Sequence, residues 1–529
     1  RVGMALERHY GAELDRHLSE LAFHFFQAAP IADPKRALHF SERAGRWASD
    51  QMGHEEAAEQ YRRALDALEL IEPIDDERRC DLLTALAFAC FRGGHRDQAR
   101  EAVDRAAAIA RTLGDPVRLA SAALALEPGL LAIEVGIVDL SLIDLLREAI
   151  HSLGDRSPAL KVRLLARQAA ATYWTDSGAG TEDLVQECRQ ISRASTDAAT
   201  RMHALSAELW SLWAPEDLAR RLEVGASLVK LADAADREMA PVFRLFFIVS
   251  LIESGDVAAA DRQISIFSRA AQELRQAQSL WYAQLLPGMR ALMKGDFDEA
   301  EKRAQEALRI GRQVEDANAE QSFAANIALL QLERGELEGL DRGVDAMVAR
   351  YPGTRMWNSA RLFIYTEVGR TDDARRELRI LAANRFEDLP RDATWLMCMV
   401  LNALVCSTLG ELTPAAVVYS KLSRFSRHHV VSGFGTLCWG SVARPLGSLA
   451  STLGQWDDAE AHFELAIANN GKIGALPWVA HSQYDYTRML MRRGRPQDRR
   501  HAASLAEDAM KTARRLGMKR LEGKLIRVM

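Results

Sequence analysis

The sequence predicts an all-α protein, a right-handed solenoid of about eleven helix hairpins. Three observations predict it. Ala, Leu, Arg and Glu recur throughout the 529 residues and only 15 are Pro, so helix formers abound and breakers are few. The strand signature, alternating runs of Val, Ile, Thr and aromatic residues, is hard to find. A block of glycine, four residues, a small residue, six residues and a second small or apolar residue also returns along the chain, and such a period marks a repeat architecture.

The clearest copies run from Gly94 to Ala99 with Ala106, from Gly295 to Ala300 with Ala307, and from Gly454 to Ala459 with Ala466. Weaker copies begin at Gly255, Gly335, Gly369 and Gly410, and an early one (Ala57, Tyr61, Ala64) follows Gly53 with the glycine displaced by one. Each part has a physical cause. The glycine ends the first helix in a left-handed conformation, and the acidic residues after it suit the positive end of the second. Small residues seven apart share one helix face, two turns apart, and let the paired helices approach. The Asp pairs 75–76, 372–373 and 457–458 fall at turns or helix starts, where capping accounts for them without any catalytic role. A second signal, Leu-Gly followed by Asp or Met at 113–115, 153–155 and 516–518, closes helices between units. The two signals alternate, as a helix–turn–helix stack requires.

This pattern resembles the tetratricopeptide signature, in which a small residue, an aromatic and an alanine mark the second helix; Tyr61 and Phe463 stand at or next to the aromatic position. Tetratricopeptide-like hairpins are therefore expected. From Gly255 to Gly494 successive turn glycines lie 40, 40, 34, 41, 44 and 40 residues apart. The usual period is about 34, so most units carry longer helices or turns. Three segments are expected: a helical junction over 1–50, divergent repeats over 51–235 (Leu142 with Ala149, Leu184 with Ile191), and more regular repeats over 236–529. The last ends in a basic stretch: from Tyr486 to Met529, 13 Lys or Arg face 4 Asp or Glu, in a chain of net charge −5. It is expected to be a solvated face of terminal helices.

The six cysteines show no CxxC spacing and lie mostly in apolar helical segments, which fits a reducing, cytoplasmic setting. The 13 histidines form no HExxH, so no metal site is expected. The longest apolar stretch, Trp395 to Cys406, is too short to cross a bilayer. Neither a GxSxG elbow nor a GxxxxGK[ST] phosphate loop occurs, so no enzyme and no bound cofactor are expected of this chain.

The segments Leu18–Phe26 and Asp33–Gly45 at the start, and Gly440–Gly447, Leu453–Phe463, Gly474–His481, Tyr484–Tyr486 and Met489–Pro496 at the end, carry a further resemblance. Together with the repeat style, they resemble the helical arm of large bacterial signal-transduction ATPases, the group that includes the maltose-regulon activator, LuxR-type regulators and cyclase-linked ATPases. The resemblance implies a non-catalytic sensor and protein-interaction arm, with ATP bound only by a module upstream of Arg1. It implies an output in transcription or cyclic-nucleotide synthesis, nucleic acid being met only through other domains. The first residue already lies within a helical pattern, as expected of a piece of a longer polypeptide. The alternative is a free-standing scaffold for protein assembly.

In such a stack the first helix of each pair lines the concave face. Counting back from the turn glycines gives apolar linings in the central units: Val242, Leu245, Val249 and Ile252, then Tyr282, Leu285, Met289 and Leu292. In the last two units they turn polar: Ser441, Arg444, Ser448 and Ser451, then His481, Tyr484, Arg488 and Met491. Ser441, Arg444, Ser448, His481, Tyr484 and Arg488 are therefore the candidate site, with a small inducer or a partner protein's acidic segment expected in the groove. Guanidinium groups suit the role because they stay charged and grip carboxylate or phosphate with paired bonds.

Overall fold

The computed structural model describes residues 1–126, 135–175, 181–236, 238–275, 277–313 and 317–529. Among them are 27 α-helices and a single two-stranded sheet: the chain is an all-α solenoid. The turn glycines do what the repeat requires. Gly94, Gly255, Gly295, Gly335, Gly369, Gly410, Gly454 and Gly494 all have φ between 70° and 86°. At Gly255, for example, the Asp256 N–H donates to the Leu251 carbonyl (2.9 Å) and the Gly255 N–H to Ile252 (3.0 Å), so orphan carbonyls of the helix end are satisfied. In the early copy Met52 takes the left-handed conformation instead, at φ 61°.

The small residues of the block are buried: Ala99, Ala300 and Ala459 have no exposed surface, nor do Ala106 and Ala466. The aromatic position meets a glycine on the paired helix. A Cβ at Gly45 would lie 2.8 Å from the Tyr61 ring, and one at Gly447 the same distance from Phe463. The Asp pairs are helix starts as expected; Asp75 caps its helix by accepting from the Arg78 N–H at 3.0 Å, and the pairs at 372–373 and 457–458 lie in first turns. Apolar packing gathers into two main cores, one from Leu18 to Leu164 and a larger one from Ala170 to Leu525, with two small clusters around Val185 and Phe463. None of the described helices is long and apolar enough to cross a membrane.

The structure departs from the sequence expectation in two places. First, where only helices were expected, the chain forms an antiparallel hairpin, β1 (His429–Ser432) and β2 (Leu437–Ser441), so Ser441 lies on a strand and not on a groove-lining helix. It packs against the helices Ala240–Ser254, Ala277–Lys294 and Trp395–Leu409, on the side expected to be the concave groove. Phe434 at its tip lies 4.9 to 6.4 Å from the rings of Trp174, Trp210, Trp213 and Phe246. Thr436 meets Ser322 (3.0 Å) and its carbonyl accepts from Asn326 (3.3 Å). At the other end the Trp478 indole N–H donates to the Cys438 carbonyl (2.9 Å). The apolar linings from Val242 to Leu292 are accordingly all buried, and Gly435 comes so close that a Cβ would stand 2.8 Å from Leu286. They are core, not an open groove wall.

Second, units far apart in sequence meet. Leu516 packs over Gly295, where a Cβ would lie 2.6 Å from its side chain, and the Arg520 backbone approaches Gly335. The final helix, Lys519–Ile526, thus rests on the helix Ala317–Arg334. Part of the basic end is therefore interlocked with the middle of the chain, because Arg520 and Lys524 find buried carboxylates there; the rest remains a solvated face, as with exposed Arg499 and Arg500.

Candidate functional site

Five helices converge where the solenoid closes. The helix Leu476–Arg493 begins with Pro477 in its first turn, where the missing N–H costs nothing. It presents His481, Tyr484, Asp485 and Arg488, which the helical period places on one face. The helix Ala443–Thr452 brings Arg444, Lys519–Ile526 brings Arg520 and Lys524, Ala317–Arg334 brings Glu333, and Arg355–Glu367 ends in Glu367. Arg444, His481, Tyr484, Asp485, Arg488, Arg520, Lys524 and Glu367 line a small pocket of about 50 Å³ with Phe363, Trp439 and Trp478.

Most of the charge is paired. Arg444 Nε donates to Asp485 Oδ2 at 2.8 Å, its guanidinium 5.7 Å from the Trp478 ring centre. His481 Nε2 lies 2.9 Å from Glu333 Oε1. Arg520 bridges two carboxylates, Glu333 Oε1 at 3.3 Å and Glu367 Oε2 at 2.7 Å. Lys524 Nζ reaches both oxygens of Glu367, at 3.0 and 2.8 Å. Burial opposes ionisation of both glutamates, but the surrounding cations outweigh it. Glu333, beside His481 and Arg520, is held down to about 2, and Glu367, beside Arg520 and Lys524, also to about 2.

The permanent cations Arg444, Arg488, Arg520 and Lys524 face the carboxylates Glu333, Glu367 and Asp485, which leaves one positive charge over. That charge is Arg488. It is exposed, lies 5.8 Å over the Tyr484 ring, and has no carboxylate at ion-pair distance among the described residues.

Four of the six candidate residues, Arg444, His481, Tyr484 and Arg488, are thus brought together at this pocket. Ser441 and Ser448 are not. Ser441 ends β2, its N–H donating to Asn470 Oδ1 (2.8 Å) and its hydroxyl accepting from the Ala443 N–H (3.2 Å). Ser448 donates to the Arg444 carbonyl one turn back (3.3 Å). Arg444 and His481 do not reach freely into a channel either: each is buried and engaged by a carboxylate, Arg444 by Asp485 on the helix of the next unit and His481 by Glu333 on a helix far away in sequence. Sequence reasoning missed Glu333, Glu367, Arg520 and Lys524. The i,i+4 spacing of Arg520 and Lys524 on the last helix was the one local signal for them.

The arrangement is one of charge pairing. Each pocket carboxylate is tied to a cation. The six cysteines are all buried, and burial pushes Cys188, Cys398 and Cys406 up to about 12, which leaves them protonated and weakly nucleophilic. Among the described residues no three His, Cys, Asp or Glu gather as a metal would need.

Neither a family model nor a curated protein matches the sequence. Among solved structures it is similar to a circular tandem repeat protein with novel repeat topology and enhanced subunit contact surfaces. The identity is 15% over 95% of this chain and 96% of that one, with a TM-score of 0.13, a likeness that carries no argument.

Proposed function

We propose that the chain is a non-catalytic sensor and protein-interaction arm whose cationic pocket at the closing end receives an acidic group. The group belongs to a small inducer or a short segment of a partner protein. The observation that carries this reading is the exposed Arg488 over Tyr484, with no carboxylate at ion-pair distance among the described residues, beside a cluster of buried ion pairs. The hairpin favours a small or short ligand, since it occupies the channel along which a long peptide would lie. By its resemblance to the arms of signal-transduction ATPases, occupancy of the pocket would control an attached nucleotide-binding module, and through it transcription or cyclic-nucleotide synthesis.

The test is calorimetric titration with inorganic phosphate and with a short polyglutamate peptide. Binding should be lost in Arg488→Gln at an unchanged melting temperature, and binding that survives this substitution would contradict the reading. A free-standing scaffold is the second reading, favoured by the helical-repeat architecture itself. The coding sequence upstream of Arg1 separates the two: an in-frame module with a phosphate-binding loop supports the first, and a start codon close by supports the second.

A further inference from the structure

Phe363 and Trp439, edge to face at 5.6 Å, form one wall of the cationic pocket and also one wall of a second cavity. This chamber holds about 350 Å³ and is lined from the helices Ala317–Arg334, Leu340–Arg350, Arg355–Glu367 and Trp395–Leu409 and from both hairpin strands. Its size falls within the range of small-molecule sites, about 300–1,000 Å³. A helical peptide, about 10 Å across, would not fit.

The lining states what kind of molecule would. No charged side chain contributes to it, so a buried anion or cation would lose its hydration with nothing in return. Met347, Met356 and Met397 give three flexible, polarizable walls, which adapt to irregular apolar shapes. Gly343 lies at an exposed position of the lining and marks the mouth. Inside, the hydroxyl of Ser432 donates to the Met356 thioether at 2.9 Å, a weak acceptor that a ligand oxygen would replace with gain. We propose that this chamber binds a neutral, mainly apolar small molecule carrying one hydroxyl or carbonyl oxygen, which meets Ser432. The inference is independent of the acidic ligand assigned to Arg488.

The experiment uses the whole chain, with decanol and decanoate competing against a fluorescent naphthylamine dye at neutral pH. Decanol should displace the dye at least about tenfold more tightly than decanoate, whose charge would be stranded. Gly343→Leu puts bulk at the mouth without a clash, since a Cβ there meets nothing within 4 Å. Ala328→Phe fills the chamber from the opposite helix. Each should abolish dye and decanol binding, Ser432→Ala should narrow the preference for the alcohol, and Arg488→Gln should change nothing. Absence of decanol binding, binding unaltered in both filled variants, or decanoate bound as well as decanol would overturn the proposal. So would loss of decanol binding in Arg488→Gln, because the chamber and the cationic pocket would then be one site.

Discussion

Arg444 and Arg488 occupy polar positions in neighbouring units, yet their surroundings give them opposite energetic roles. Arg444 is only 9% exposed and its partner Asp485 has a side chain 12% exposed. Arg444→Ala strands that carboxylate and is expected to cost about 3–5 kcal/mol. Arg488→Gln should stay within about 0.5 kcal/mol of the parent; urea unfolding of the two variants checks the contrast. The buried glutamates add a pH signature. Glu333 and Glu367 are held near 2 in the folded chain, below the ordinary glutamate value of about 4.3. The unfolded chain therefore binds more protons between these values, and stability rises with pH there. It should be fully present above about pH 4.5 and fall away as the pH drops toward 2. Melting temperatures across that window should show a shallower acid loss in Glu367→Gln, whose baseline is lower. At this scale the sequence located Arg444, His481, Tyr484 and Arg488, because helical spacing from a turn glycine is a local rule. It could not supply Glu333, some 150 positions before His481, since no local period connects them.

Among the elements, the helix hairpins were legible and the β-hairpin was not. Glycine after a helix and small residues seven apart leave a pattern that survives divergence. Ala459 is fully buried in that pattern, and Ala459→Leu should overpack its unit by about 1–3 kcal/mol, seen as a lowered melt. β1 and β2 have only four and five residues and are buried on both faces, so they lack the alternation that betrays a half-exposed strand. Gly433 and Gly435 fit neither repeat signal; both at positive φ, they turn Phe434 into the aromatic cluster. Phe434→Ala removes a 5% exposed ring packed against four others. It is expected to cost about 3–5 kcal/mol in urea unfolding. A negligible cost would mean that the tip is not held there.

On the scale of the whole molecule, the composition and the repeat gave an open stack in which each unit leans on its neighbours. The folded chain is more closed. The hairpin spans the concave side from Trp174 to Trp478, and the last helix locks onto Glu333 and Glu367. Closure of this kind depends on superhelical curvature, which small rotations per repeat decide and residue patterns do not encode locally. It also leaves the pocket and the chamber, not the channel, as the open cavities at the closing end. The most direct measurement of this arrangement is native-state hydrogen exchange across residues 429–441. If the hairpin fills the channel, its cross-strand amides are protected nearly as strongly as those of the buried helix Trp395–Leu409, and Phe434→Ala lowers that protection first. Exchange of 429–441 at the rate of an exposed loop, with the helices on either side still protected, would contradict the account and return the concave channel to an open groove.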